Sequence, residues 1–265
     1  MDILWITDPH LDHLGHDECK AWFQRIESFQ GSGILITGDI GESDSVCEFL
    51  EQAASLHSCI WFVLGNHDYY GSTISDTRAR VLSLSERVPS LHYLSQTTPI
   101  YHGDTSVLIG VDGWSDGRAG DFLSSPIMLN DYRRIGDLSG LEITARLRKL
   151  KDLGDSEAAV IRRKLETLDI SAIRKIRIAT HVPPFAEACW YEGSNAVNEW
   201  TPHFTGLAVG YEILRFAEAN PQIQFEVYCG HGHNAGQVNL SSNILVETGA
   251  AVYGDWKPHR VLTWQ

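Results

Sequence analysis

Five places in the sequence join an apolar run to residue types that ligate metals. Residues 3–7 lead into Asp8-Pro9-His10, and residues 33–37 into Gly38-Asp39-Ile40-Gly41-Glu42. Residues 59–64 lead into Gly65-Asn66-His67-Asp68, and residues 175–179 into Thr180-His181-Val182-Pro183-Pro184. Residues 225–229 lead into Gly230-His231-Gly232-His233. Carboxylate, imidazole and amide oxygen, with no thiolate among them, suit Mn, Fe, Zn or Co better than soft-metal or cluster chemistry. Taken singly the pieces are ordinary, since D-x-H recurs by chance and G-D or G-N-H-D can be only a turn. Gly-His-Gly-His is the least ordinary, because two histidines around one glycine rarely serve packing. The joint occurrence, each set after an apolar run, points to a metal centre.

Such residues meet only if the strands before them end on one side, and in open α/β sheets ligands gather outside the carboxyl ends of strands. The pattern predicts strands at 3–7, 33–37 and 59–64. A helix at 19–29 (Ala21, Trp22, Ile26, Phe29) and another at 43–56, opened by Ser43 as N-cap, lie between them. That alternation implies crossover units and parallel pairing. Later strands are predicted at 106–111, 175–179, 225–229, 236–240, 244–247 and 260–264, the last three as an antiparallel meander finishing a second sheet. Helices are predicted at 141–153, 157–168 and 207–219 from their apolar spacing.

The chain has 265 residues, 43% hydrophobic and 21% charged, which is an ordinary globular composition. No run approaches the ~20 apolar residues of a membrane span, and the start shows no signal-peptide pattern. The five cysteines are odd in number, scattered and without C-x-x-C, so reduced thiols and a cytoplasmic location are expected. A net charge of −13 argues against non-specific coating of nucleic acid or anionic membrane. Residues 113–175 stand apart, with 12 basic and 10 acidic residues in an otherwise acidic chain. They read as a helical, relatively basic excursion within a single domain spanning 1–265, laced by i,i+4 pairs such as Arg162 with Glu166.

The ordered set D-x-H, G-D-x-x-E, G-N-H-D, H and G-H-x-H resembles the calcineurin-like metallophosphoesterases, and it spreads from Asp8 to His233. The resemblance implies an α/β (α+β) fold, a four-layer αββα sandwich of two mixed β-sheets flanked by helices, with two divalent metal ions at the strand ends. One ion would take Asp8, His10, Asp39 and His233. The other would take Asp39, Asn66, His181 and His231, with Asp39 shared. Mn is favoured among Mn, Fe, Zn and Co. The resemblance also implies hydrolysis of a phosphate ester by a hydroxide held between the ions. His67 stays off the metals and faces the leaving group, as general acid. Asp68 can hold the His67 ring and raise its pKa.

Within that resemblance the substrate is a small phosphorylated molecule or nucleotide, a phosphodiester before a phosphomonoester, with a nucleic-acid end still open. Glu42 stands where many relatives carry Asp. The Arg-Gly that follows this motif in protein phosphatases is missing, which disfavours that class. Arg118, Arg133 and Arg134 in the basic excursion are candidate phosphate contacts. His13 and His16 read as exposed loop histidines, and Tyr69 and Tyr70 as packing residues. Two competing readings are a catalytically silent scaffold and an amidohydrolase. The scaffold has no need of a full ligand set, and the amidohydrolase usually opens with H-x-H where this chain has Asp8.

Overall fold

Ile, Leu, Val and Trp fill the early apolar runs, and such residues suit strands buried on both faces. In the computed structural model, which describes residues 1–191, 193–195, 197–255 and 260–264, these runs build two sheets. The elements begin with β1 (Asp2–Ile6), α1 (His16–Ser28), β2 (Gly33–Thr37), α2 (Asp44–Leu56), β3 (Ile60–Val63) and α3 (Ile74–Arg87). They continue with β4 (Leu91–Tyr93), β5 (Ile100–His102), β6 (Ser106–Gly110), α4 (Asp131–Arg134), α5 (Ile143–Glu166) and β7 (Lys175–Ala179). They end with α6 (Thr201–Phe204), α7 (Leu207–Ala219), β8 (Gln224–Cys229), β9 (Gly236–Ser241), β10 (Ile244–Thr248) and β11 (Arg260–Thr263).

One sheet has the order β11-β1-β2-β3-β4 and the other β5-β6-β7-β8-β10-β9. In the first, β1 to β4 are parallel and β11 is antiparallel. In the second, β6, β7, β8 and β10 are parallel, and β5 and β9 close the edges antiparallel. Successive side chains of a strand point to opposite faces. Ile3 and Trp5 of β1 therefore pack between the sheets with Leu35, Trp61, Leu108 and Tyr228. Leu4 and Ile6 face outward onto Trp22 and Ile26 of α1 and Leu50 of α2. Ile176 and Ile178 of β7 face Ile161 and Leu165 of α5 and Ile213 of α7. The layers run helix, sheet, sheet, helix, the four-layer sandwich that the resemblance implies.

Three expectations change. The strand at 260–264 does not finish the second sheet: β11 pairs with β1, where Leu262 and Trp264 add to the core between the sheets. The helices expected at 141–153 and 157–168 are one helix, α5, running through Gly154. Gly154 is there for closeness rather than as a breaker, because a Cβ would come within 2.6 Å of the Asp116 Cβ. The expected Arg162–Glu166 pair is replaced by pairs between helices. Arg162 reaches Glu212 of α7 at 3.9 Å, and Arg215 of α7 reaches Glu166 at 3.1 Å. The structure adds α3 to the predicted helices: Thr73 caps it by accepting from the Asp76 amide at 3.1 Å, and Ile74, Thr77, Val81 and Leu84 form its buried face. Among the described residues, no helix is long and apolar enough to cross a membrane.

Candidate metal centre

Backbone hydrogen bonds fasten the five loops to one another. The Asp8 amide donates to Gly38 O (3.1 Å) and the His10 amide to Asp39 O (2.9 Å), which joins the ends of β1 and β2. The Gly230 amide donates to His181 O (2.9 Å), which joins β8 to β7. The two sheets meet where Nδ1 of His181 lies 2.8 Å from Thr37 O. A carbonyl only accepts, so Nδ1 carries the proton and Nε2 keeps its lone pair for a ligand.

The turns are strained. Among the described residues, the non-glycine residues with left-handed backbone are Asp8, His10, Asp39, Ser43, His231 and His233. All but Ser43 are ligands expected from the sequence. Asp and His enter this region more readily than most residues. Each such residue still costs on the order of 1–3 kcal/mol and persists where the surroundings impose it, commonly at functional sites. Glycines make room for the turns: a Cβ on Gly38 would sit 2.5 Å from Nδ1 of His181, and one on Gly230 would strike the Asp8 carboxylate.

The side chains gather in two groups around Asp39. Asp8, His10, Asp39 and His233 each present a ligand atom within 4.8 Å of the others. Nε2 of His10 lies 2.9 Å from Nε2 of His233 and 3.7 Å from Oδ2 of Asp39. On the other side, Nε2 of His181 lies 3.4 Å from Oδ1 of Asp39 and 2.9 Å from Oδ1 of Asn66. The His231 ring packs on the His181 ring, centroids 5.0 Å apart. The two Asp39 oxygens thus face opposite groups.

Electrostatics test whether cations fit here. Burial works against the Asp8 anion, yet His181, His233 and His10 outweigh it and hold its pKa far below the usual range. Burial, and then the Asp8 and Asp68 charges, push Asp39 well above that range. Burial lowers His10 and His231 to about 3, His67 to about 2, and His181 in the same direction. The result is one anion, one carboxyl driven to keep a proton, and neutral imidazoles converging on the same space. Divalent cations would relieve the carboxylate repulsion and use the free imidazole lone pairs, so the donor set fits them.

A pH dependence follows. The four lowered imidazoles (His10, His67, His181, His231) favour folding above pH 6.5 and oppose it increasingly as the pH falls, because only the unfolded chain takes up their protons. Asp39, Asp131 and Asp68, the last raised to about 7, act in the opposite sense between about pH 4 and 7. His102 and His203, both lowered to about 4 by burial, join the imidazoles, so the metal-free protein should lose stability as the pH falls from 6.5 to 4. Saturating Mn²⁺ removes the proton from Asp39 and should steepen that fall. Urea unfolding at pH 4.5, 5.5 and 6.5, in chelator and in Mn²⁺, checks both slopes. Parallel slopes would contradict the cation fit.

Asp68 does not hold the His67 ring. It is fully buried and its carboxylate accepts from four backbone amides, those of Asp39 (3.1 Å), Ile40 (2.8 Å), Gly41 (3.0 Å) and Gly65 (2.7 Å). It therefore ties the Asp39 turn to the Asn66 turn, and it does not raise the pKa of His67. The His67 ring packs on Tyr70 and His10 at 4.2 and 4.6 Å between centroids, and its Nδ1 is buried without a partner among the described residues.

The centre floors an open cleft of about 280 Å³ that Tyr70, Leu129, Asp131, Phe204 and Tyr253 also line. Of the expected phosphate contacts, Arg118 is turned elsewhere, bonded to Asp116 (3.0 Å) and Asp155 (2.7 Å). Arg133 is exposed on α4 and does not line the cleft. Arg134 reaches the rim: its guanidinium stacks 4.6 Å from the Tyr70 ring centroid and forms two 2.7 Å bonds with Glu42. His13 is exposed and stands 3.7 Å from Glu42, and His16 is exposed at the start of α1. The tyrosines are tied by their hydroxyls, Tyr69 to Asp112 at 2.9 Å and Tyr70 to Asp131 at 2.6 Å.

Asp131 was not legible in the sequence, since N-D-Y-R-R carries no ligand spacing. It is buried and accepts from Nδ2 of Asn66 at 2.8 Å, which turns the amide oxygen of Asn66 toward His181. Partners of this kind typically carry 10–100-fold in metal affinity or activity. Asp131→Ala should therefore weaken Mn²⁺ binding by about 10–100-fold with the fold intact. Calorimetric titration checks it, and unchanged affinity would leave Asp131 a packing residue.

Known structures share this fold. The chain resembles the crystal structure of a phosphopantetheinyl hydrolase from Mycobacterium tuberculosis with a TM-score of 0.70 at 13% identity, covering 95% of this chain and 89% of that one. A dimetal phosphatase from Danio rerio gives 0.58 at 12% identity, covering 96% and 88%. Likeness at such identity speaks for the fold. An uncharacterized protein of Acanthamoeba polyphaga mimivirus is 22% identical over 152 residues, 53% of this chain, and the chain spans only 54% of that relative's length. Residues 1–235, which contain every one of the strand-end motifs, match the calcineurin-like phosphoesterase family. The chain belongs to the calcineurin-like phosphoesterase family.

Proposed function

We propose that the protein is a metal-dependent phosphoesterase acting on small phosphate esters, diesters before monoesters. The observation that supports this most is the convergence of Asp8, His10, Asn66, His181, His231 and His233 around Asp39 at the floor of a cleft. Asp8, His10, Asp39 and His233 would hold one divalent ion, and Asp39, Asn66, His181 and His231 a second, with Mn²⁺ favoured. Bound there, such ions supply Lewis acidity toward phosphoryl oxygens and make the attacking water more acidic.

The chain's own residues do the rest. His67 lines the cleft without a place in either ligand group, so its ring is available to the leaving-group oxygen. An anionic phosphate beside the ring supplies the negative charge that favours its protonated, donating form. Asp68 keeps the Asp39 and Asn66 turns in register through four amides. Arg134 stands beside the cleft, stacked on Tyr70 and paired with Glu42. The cleft, about 280 Å³, suits a small ester better than a long polymer, and the net charge of −13 opposes a polyanion.

The test uses the full chain. Metal content is measured, and phosphomonoesters, linear diesters, cyclic nucleotides, single-stranded oligonucleotides and phosphopantetheinyl esters are screened with Mn²⁺, Fe²⁺, Zn²⁺ and Co²⁺. Hydrolysis that a chelator abolishes, and that His67→Ala lowers by roughly 10²–10⁴-fold, is the expected result. Inactivity on every ester with every metal would favour the silent scaffold instead.

A further inference from the structure

Tyr253 belongs to no motif and lies beyond residue 235, where the family match ends. Main-chain bonds nevertheless deliver it to the centre. The parallel pair β8–β10 ends on the same rim, where the Gly249 amide donates to Cys229 O (2.8 Å) and the Ala251 amide to His233 O (3.3 Å). The chain then turns between Val252 and Asp255, with Gly254 at φ 80°. This turn sets the Tyr253 ring over the histidines, 4.5 Å from the centroid of His10 and 5.0 Å from that of His233. Its hydroxyl lies 3.4 Å from Nε2 of His67.

Two facts make this more than packing. Tyr253 is 50% exposed and lines the cleft, so it meets whatever enters. Asp68 is spent on backbone amides and Nδ1 of His67 has no partner, so among the described residues the Tyr253 hydroxyl is what the His67 ring bonds to. A contact as long as 3.4 Å is weak. An oxygen seated beside both groups can replace it with two better bonds.

We propose that Tyr253 is a further catalytic residue, whose hydroxyl donates a hydrogen bond to the leaving-group oxygen beside His67. The inference rests on the phosphoesterase reading above. In the step, a water oxygen bonds to phosphorus as the P–O bond to the leaving group breaks, and that bond's electron pair passes to the departing oxygen. The departing oxygen takes its proton through His67, and the water releases its own to solvent. The phenol keeps its proton throughout and acts only as a donor where charge develops, a role worth most when the leaving group is poor.

Tyr253→Phe keeps the ring and removes the donor. On the Mn²⁺-loaded full chain, kcat should fall roughly 10- to 100-fold for diesters with an alkyl leaving group. It should fall less than about threefold for 4-nitrophenyl diesters, whose leaving group needs little help, with KM within about twofold. Inorganic phosphate, followed by calorimetry, should bind more weakly to the variant by roughly tenfold or more, the loss of one hydrogen bond to an anion. Bound metal should not change. Equal losses for both leaving groups, a loss carried by metal content, or no loss at all overturns the role of Tyr253 while leaving the phosphoesterase reading in place. A wild type inactive on every ester overturns both.

Discussion

Replacing Asp39 with asparagine is expected to lower metal-dependent hydrolysis by roughly a thousandfold or more, equivalent to about 4 kcal/mol of lost transition-state stabilisation. The carboxylate faces His10 through Oδ2 (3.7 Å) and His181 through Oδ1 (3.4 Å), and Oδ1 also accepts from the His67 amide at 2.8 Å. An amide has one oxygen, so it can keep the bond from His67 while losing its reach to the His10 side. The same change should stabilise the protein without metal. Burial and the Asp8 anion penalise charge on Asp39, and asparagine carries none. The variant should therefore unfold at a higher temperature than wild type in chelator, bind less Mn²⁺ and gain less from it. Wild-type turnover, or a full Mn²⁺-induced rise in melting temperature, would take Asp39 out of its place between the two ligand groups.

The residues at the strand ends were legible because their signal is local: an apolar run, a glycine and a ligand type, repeated. The same locality explains the errors. Asp68 sits next to His67 in sequence, which suggested a contact, yet a 3-10 turn over His67–Tyr69 sends the two side chains apart. Asp131 and Tyr253 reach the cleft from α4 and from the turn after β10, and no neighbouring residue marks either. Proximity in sequence assigns β11 to the nearest sheet, but its partner is β1 at the far end of the chain, with Asp2 opposite Thr263. Gly154 lies in the gap between the helices predicted at 141–153 and 157–168, yet α5 runs through it. What it allows is the approach of Asp116, which only the folded chain displays. Arg118 and Arg134 carry the same charge in the same excursion. Acidic partners decide their directions: Asp116 and Asp155 draw the first away, and Glu42 holds the second at the rim. Patterned chemistry thus shows in the sequence, whereas contacts fixed by tertiary approach do not.

Asp68→Ala should be strongly destabilising, costing about 4 kcal/mol. Its carboxylate is wholly buried and satisfies the amides of Asp39, Ile40, Gly41 and Gly65, at 2.7 to 3.1 Å. Removing an acceptor leaves each buried donor with a penalty of roughly 1–3 kcal/mol, partly relieved if water enters the space. Asparagine should not rescue it fully. Oδ1 accepts from Ile40 and Gly41 while Oδ2 accepts from Asp39 and Gly65, so either orientation of an amide sets its NH₂ against two N–H donors. By contrast, His67→Ala removes a ring whose Nδ1 has no partner among the described residues, and should leave stability within about 1 kcal/mol of wild type while lowering turnover. Urea unfolding of the metal-free forms separates the two positions. If Asp68→Ala unfolded at the wild-type urea concentration, the four amides would have found other acceptors. The Asp39 and Asn66 turns would then be held by their ligands rather than by this buried carboxylate. If it unfolds early and Mn²⁺ restores most of the loss, the cations and Asp68 hold the same two turns from opposite sides.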